Sequence, residues 1–290
     1  MPKDCVTKPR GQTPSIQDGP LGVGRSGGHQ TARLRSTPLA ARTARCLNTN
    51  TRRAGFSVGE LTSLSQATRR RIHEMTLDEI GAKYGTDKDS RHHDFLRFYE
   101  RRLKGYREQP LTLVEVGVYR GGSVRMWAEY FPKAQIVGLD VNPDCKALSG
   151  GNIHIGIGDA SRIDFIFELI NEFGRPLIVI DDGSHRWDHQ ITTLQLLFPL
   201  LVPGGAYVVE DLDTSFDGQL KQAPYEGLSP ISAFEYVTKL SRAVTADAAI
   251  GDERHFDLFI ADNYRWVSTV EFGRRTAVIG KKLSPGGGSD

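Results

Sequence analysis

From Leu111 onward, short apolar runs alternate with longer amphipathic stretches. Leu111–Val116, Gln135–Leu139, Asn152–Gly156, Leu177–Ile180 and Ala206–Val209 read as strands, and Ser123–Tyr130, Ile163–Phe173 and His189–Leu201 as helices among them. Runs that are apolar at nearly every position, separated by helices, indicate parallel strands covered on both faces. A helix over Ile231–Val244 and two late strands, Val267–Phe272 and Thr276–Ile279, complete the pattern. The late strands lie close enough in sequence to form a hairpin. The expected fold is α/β: a Rossmann-like, mostly parallel sheet with an antiparallel C-terminal strand and helices on both faces.

Upstream, Leu61–Ile72 and Leu77–Tyr84 have helical periodicity, Gly85-Thr86-Asp87-Lys88 breaks it, and His92–Leu103 resumes it with Phe95, Phe98 and Tyr99. Residues 59–108 therefore read as a helical cap or lid on the main domain at 109–282, with a short tail at 283–290. Residues 1–58 are rich in Gly, Pro, Ser, Thr and Arg and show no sustained apolar period. Such a stretch buries too little apolar surface to offset the entropy of ordering, so a disordered leader is expected.

Composition separates the two parts. The first 59 residues hold 10 of the 37 basic side chains and 2 of the 35 acidic ones, leaving the remainder with a balance of −6. An acidic core gives no support for binding a phosphate backbone, so no nucleic-acid partner is expected. The basic leader fits a non-structural extension, an organelle transit peptide (Arg33–Arg53 is arginine-rich and acid-poor) or a nucleic-acid tail without interleaved aromatics. No stretch approaches the roughly 20 apolar residues of a membrane span. Cys5, Cys46 and Cys145 are too scattered for a disulfide scaffold or a cysteine-built zinc site, which fits a reducing, cytoplasmic setting.

The chemistry gathers at strand ends. In an open α/β sheet, ligands collect beyond the carboxyl ends of the strands. The segment Glu115-Val116-Gly117-Val118-Tyr119-Arg120-Gly121-Gly122-Ser123 is glycine-rich, lies at a helix N-terminus and lacks the three-glycine dinucleotide spacing. Asp140 closes the second strand, where a carboxylate can take both hydroxyls of a ribose, and Asp159 in the turn after the third strand would meet an adenine end. No phosphate-binding Gly-x-x-x-x-Gly-Lys-Ser/Thr motif is present. The fourth strand ends in Asp181-Asp182-Gly183-Ser184-His185, and the fifth in Glu210-Asp211. Adjacent strand ends would let Asp182, Glu210 and Asp211 converge on a hard cation such as magnesium, with His185 beside it to take a proton and Asp181 turned toward the cofactor.

These residues carry a resemblance. Glu115–Ser123, Asp140, Gly158-Asp159, Asp181–His185 and Glu210–Phe216, with Lys83–Lys88, His92 or His93 and Tyr99 upstream, resemble class I S-adenosylmethionine-dependent methyltransferases. Within that class they look like the magnesium-dependent sugar O-methyltransferases of antibiotic biosynthesis, the mycinamicin and elloramycin type. The resemblance implies S-adenosyl-L-methionine over Glu115, Gly117, Ser123, Asp140, Asp159 and Asp181, Mg2+ on Asp182, Glu210 and Asp211, and His185 as general base. It also implies closure of the site by residues 83–99. The acceptor would be a hydroxyl of a small molecule, a deoxysugar of a natural product by resemblance, and Phe216, Tyr225, Phe234 and Tyr264 are candidates to line its pocket. An NAD-linked oxidoreductase, a hydroxylase-like enzyme and a non-catalytic assembly protein on the same fold stay open, as does homo-oligomerisation.

Overall fold

The computed structural model describes residues 75–216, 225, 227–248 and 257–285. The leader, the helix expected over Leu61–Ile72 and the last residues of the tail lie outside the described residues. Helix α1 (Leu77–Tyr84) opens on a reciprocal cap: Thr76 Oγ1 accepts from the Glu79 amide, and the Glu79 carboxylate accepts from the Thr76 amide. It ends at Gly85 in the left-handed region. Helix α2 (Leu96–Leu103) begins later than the periodicity predicts. The His93 amide donates to the Asp87 carbonyl and the Asp94 amide to Asp89, while Asp94 has φ 60°. Residues 87–94 are thus folded into a turn instead of a first helical turn.

The sheet is built from β1 (Thr112–Val116), β2 (Gln135–Asp140), β3 (Ile153–Ile157), β4 (Ile178–Asp181), β5 (Ala206–Val209), β6 (Val267–Gly273) and β7 (Thr276–Lys281). Helix α3 (Gly122–Tyr130) follows β1, α4 (Ile163–Phe173) follows β3 and α5 (Trp187–Leu197) follows β4. Helices α6 (Ala233–Ala246) and α7 (Leu258–Asn263) precede the final hairpin. The strand order is β3-β2-β1-β4-β5-β7-β6, and β7 runs antiparallel to both its neighbours. The short helix α7 has no counterpart in the expected elements. Its local signal is Asp257, whose side chain accepts from the Ile260 amide as an N-cap.

Alternation along the strands divides the core in two. Val114, Val116, Val137, Leu139 and Val179 pack with α4 to α7 on one face. Leu113, Ile136, Ile178 and Ile180 pack with α1, α2 and α3 on the other. Each layer is continuous and buried, as a doubly covered parallel sheet requires. The chain reverses its winding between β1 and β4, so a crevice opens beyond their carboxyl ends. No helix among the described residues is long and apolar enough to cross a membrane.

Candidate active site

Two adjoining clefts occupy that crevice and share Gly117, Asp140 and Gly183 in their walls. The first, of about 300 Å3, is lined by Val116, Leu139, Asp140, Asp159, Asp181 and His189, among others. The second, of about 600 Å3, is more polar and is lined by Lys88, Tyr119, Ser123, Asp182, His185 and Asp211.

The loop between β1 and α3 is held by Asp140. Its Oδ2 accepts from the Val118 and Tyr119 amides at 2.9 and 3.0 Å, and its Oδ1 from the Asn142 amide at 2.9 Å. Burial opposes the Asp140 charge, but these three backbone donors outweigh it and hold the pKa below the usual value. The carboxylate therefore stays ionised at the cleft wall. Asp159 binds the amide and hydroxyl of its own turn residue Ser161, at 2.9 and 2.7 Å. Burial again works against the charge, and the Ser161 donors again prevail to lower the pKa.

Glu115 and Asp181 are different. The Glu115 side chain is fully buried, facing α3, and accepts from Ser123 Oγ at 2.8 Å and Trp127 Nε1 at 3.1 Å. Its carboxylate lies behind the glycine loop and lines neither cleft. Burial raises its pKa to about 7, against the pull of Lys88. Asp181 accepts from the buried Tyr207 hydroxyl at 2.8 Å, and burial raises it to about 7 as well.

The ends of β4 and β5 lie side by side, because Ile178–Asp181 pairs in parallel with Ala206–Val209. This brings Asp182, His185 and Asp211 together: one ligand atom from each lies within 4.8 Å of the others. His185 and Asp211 both have positive φ, 57° and 52°, a backbone cost that turns their side chains toward this point. His185 Nε2 stands 3.5 Å from Asp211 Oδ2, and His185 Nδ1 is buried without a hydrogen-bond partner. Glu210, expected beside them as a ligand, instead accepts from Lys88 Nζ at 2.6 Å, while its other oxygen is buried and unpartnered. Lys88 also donates to Asp182. Burial would lower the Lys88 pKa, but Asp182, Glu210 and Glu115 override it and keep the ammonium charged. Arg275, in the β6–β7 turn, pairs with both Asp211 and Asp213. The Asp182 and Asp211 carboxylates, with the unpartnered Glu210 oxygen behind them, are an oxygen donor set that fits a hard divalent cation.

Arg275 is a site residue to which sequence reasoning gave no role, and Lys88 one to which it gave only a share in closing the site. Lys88 was visible as the end of the Lys83–Lys88 motif; Arg275 had no signal beyond its place in a hairpin turn. Of the residues considered for the acceptor, Tyr264 is buried in the core. Phe216 is half exposed and packs on Phe234, with ring centroids 5.0 Å apart. The Tyr225 carbonyl accepts from the Trp187 amide at 2.6 Å.

No family model matches the chain. Mycinamicin VI 2''-O-methyltransferase of Micromonospora griseorubida is 37% identical over 147 residues, which are 48% of this chain and 37% of that protein. Demethylmacrocin O-methyltransferase of Streptomyces fradiae is 36% identical over 147 residues, with the same coverage. Among solved structures, the mycinamycin-pathway methyltransferase MycE in complex with Mg, SAH and mycinamycin VI superposes with a TM-score of 0.61 at 28% identity. That match covers 72% of this chain and 54% of MycE. The matched segment thus spans little more than a third of the curated relatives. In fold and in about half of its sequence, the chain resembles the class I S-adenosylmethionine-dependent O-methyltransferases of the mycinamicin type.

Proposed function

We propose that this protein is an S-adenosylmethionine-dependent, magnesium-assisted O-methyltransferase acting on a hydroxyl of a small molecule, a sugar of a glycosylated natural product. The observation that carries the reading is the pair of clefts meeting at Gly117, one walled by Asp140 and Asp159 and the other by Asp182, His185 and Asp211. The first suits a nucleoside, with Asp140 ionised to receive ribose hydroxyls and Asp159 at the far end. The apolar side chains of Val116 and Leu139 offer a surface for a flat base.

Asp182 and Asp211 would hold the metal, with Glu210 behind them. When bound, S-adenosylmethionine supplies an electrophilic methyl group and magnesium a Lewis acid for the acceptor oxygen. His185 would accept the hydroxyl proton as the acceptor oxygen takes up the methyl group, whose bond to sulfur would break with its electron pair left on sulfur. Asp211, 3.5 Å from His185 Nε2, steadies the imidazolium that results. Gly117 allows the two clefts to join, because its lack of a side chain leaves the β1 and β4 ends in contact. The junction of the two clefts would set the acceptor hydroxyl against the methyl group, and such positioning supplies much of the remaining rate. The relatives named for methylating mycinamicin VI and demethylmacrocin support a natural-product hydroxyl as the acceptor.

The test is calorimetric titration of S-adenosylhomocysteine into the full chain, with magnesium and with EDTA, using NAD as control. It is followed by methyl transfer from labelled S-adenosylmethionine to glycosylated macrolides. Micromolar binding with NAD inert, then label in the sugar, is expected. Binding of NAD in place of S-adenosylhomocysteine would overturn the reading in favour of an oxidoreductase.

A further inference from the structure

Lys88 is 1% exposed, a rare state for a lysine, and its ammonium lies between an acid that faces the cleft and one that does not. Asp182 is 24% exposed and Glu210 1%, and Lys88 Nζ donates to both. The lysine comes from outside the β-α core, on the turn joining α1 to α2. That turn is locked by its own backbone: the Phe95 amide donates to the Lys88 carbonyl at 2.9 Å, and the His93 amide to Asp87 at 2.9 Å. The ammonium is therefore delivered to the strand ends by a rigid segment.

Charge explains why it is there. Asp182, Glu210, Asp211 and Asp213 are joined by ion pairs to Lys88 and Arg275. Four carboxylates thus crowd against two cationic side chains at these strand ends, and Lys88 is the cation that reaches the most buried of them, Glu210. Without Lys88, Glu210 would have no ion-pair partner among the described residues, and burying an unpaired charge costs far more than a surface ion pair returns.

We propose that Lys88 is a built-in counter-cation and positioning residue of the acid cluster: it holds Asp182 and Glu210 in place without a bound ion and sets how tightly the cluster takes a divalent one. The inference rests on the metal-assisted reading above. It assigns to the turn between α1 and α2 a direct part in the ion affinity of the site, beyond covering it. Lys88 acts through Asp182 and Glu210 and is not a catalytic residue.

The full-length chain, Lys88→Met and the double variant Lys88→Met/Glu210→Gln are compared by thermal unfolding in EDTA and in magnesium, and by magnesium calorimetry. Methionine keeps the apolar stem and removes only the charge. Lys88→Met is expected to unfold roughly 10 °C lower in EDTA. Magnesium should restore most of that loss and bind about tenfold more tightly, because one repelling charge is gone. The double variant restores neutrality at the pair, so its midpoint in EDTA should return close to that of the parent. If Lys88→Met does not fold, a folded double variant with a near-parental midpoint supports the inference by itself. A double variant as unstable as the single one, or Lys88→Met with unchanged magnesium affinity and the same loss in both buffers, would reduce Lys88 to a packing residue. Failure of the parent to bind S-adenosylhomocysteine would overturn the methyltransferase reading but not this inference, whose magnesium and EDTA comparisons use no S-adenosyl ligand.

Discussion

Gly117 and Asp182 approach so closely that a Cβ built on the glycine would fall 2.0 Å from the Asp182 carbonyl oxygen. Gly117 also has φ +89°, which side chains rarely adopt. The contact is where β1 and β4 part, and it fixes the wall common to both clefts. Gly117→Ala must either push Asp182 away or twist the loop. The expected loss is about 3 kcal/mol or more of stability, from the combined clash and backbone strain. Urea unfolding measures it, and S-adenosylhomocysteine affinity should fall with it; an alanine variant of parental stability would contradict the packing described.

His185→Ala removes the proposed base while leaving the first cleft untouched, since His185 lines only the second. Single-turnover methyl transfer should slow about 10²- to 10⁴-fold, the usual worth of a positioned general base. Calorimetry should find S-adenosylhomocysteine binding within a factor of about three of the parent. Turnover unchanged with a competent acceptor would remove His185 from its role.

The sheet was legible in the sequence because its strands are apolar at nearly every position and end in acids or turn glycines. Val114 and Val179 pack on one face while Leu113 and Ile178 pack on the other, and that double burial produces the unbroken apolar runs. The late hairpin was legible from the short Gly273–Arg275 spacing. Adjacent strand ends led the sequence to predict that Asp182, Glu210 and Asp211 converge beside His185; the structure brings Asp182, His185 and Asp211 together and pairs Glu210 with Lys88. What escaped depends on distant contacts. Lys88 reaches Asp182 across 94 positions, and nothing local distinguishes it from the surface lysine Lys83. The start of α2 was misjudged for a related reason: Asp89, itself buried, accepts from Arg91 and His92 and folds a helical-looking stretch into a turn.

Asp140 gives a prediction that separates loop order from metal chemistry. Its carboxylate takes three backbone amides, those of Val118, Tyr119 and Asn142. Asp140→Ala leaves all three without this acceptor and removes the group offered to a ribose. Hydrogen bonds to a charged group are worth about 1.5–3 kcal/mol each, so S-adenosylhomocysteine affinity should fall about 100-fold or more. Magnesium binding, measured separately by calorimetry, should stay near the parental value. A parental affinity for S-adenosylhomocysteine would show that the nucleoside lies elsewhere.

Glu115 makes the stability of the protein depend on pH in an unusual direction. Its pKa is raised by burial from 4.5 to about 7, so the folded state holds a proton that the unfolded chain releases at lower pH. For an acid shifted upward, stability is greatest below the unfolded pKa and declines as pH rises toward the folded one. The penalty should therefore build up between about pH 4.5 and 7 and level off above pH 7 at roughly 3 kcal/mol. Glu115→Gln keeps an oxygen to accept from Ser123 or Trp127 and cannot ionise. Urea unfolding at intervals from pH 5 to pH 8 should show the parent losing stability relative to the variant across this range. Asp181, also raised to about 7, contributes equally to both proteins and cancels in the comparison. Parallel curves for parent and variant would mean that Glu115 is ionised throughout, its charge carried by Lys88, Ser123 and Trp127 together.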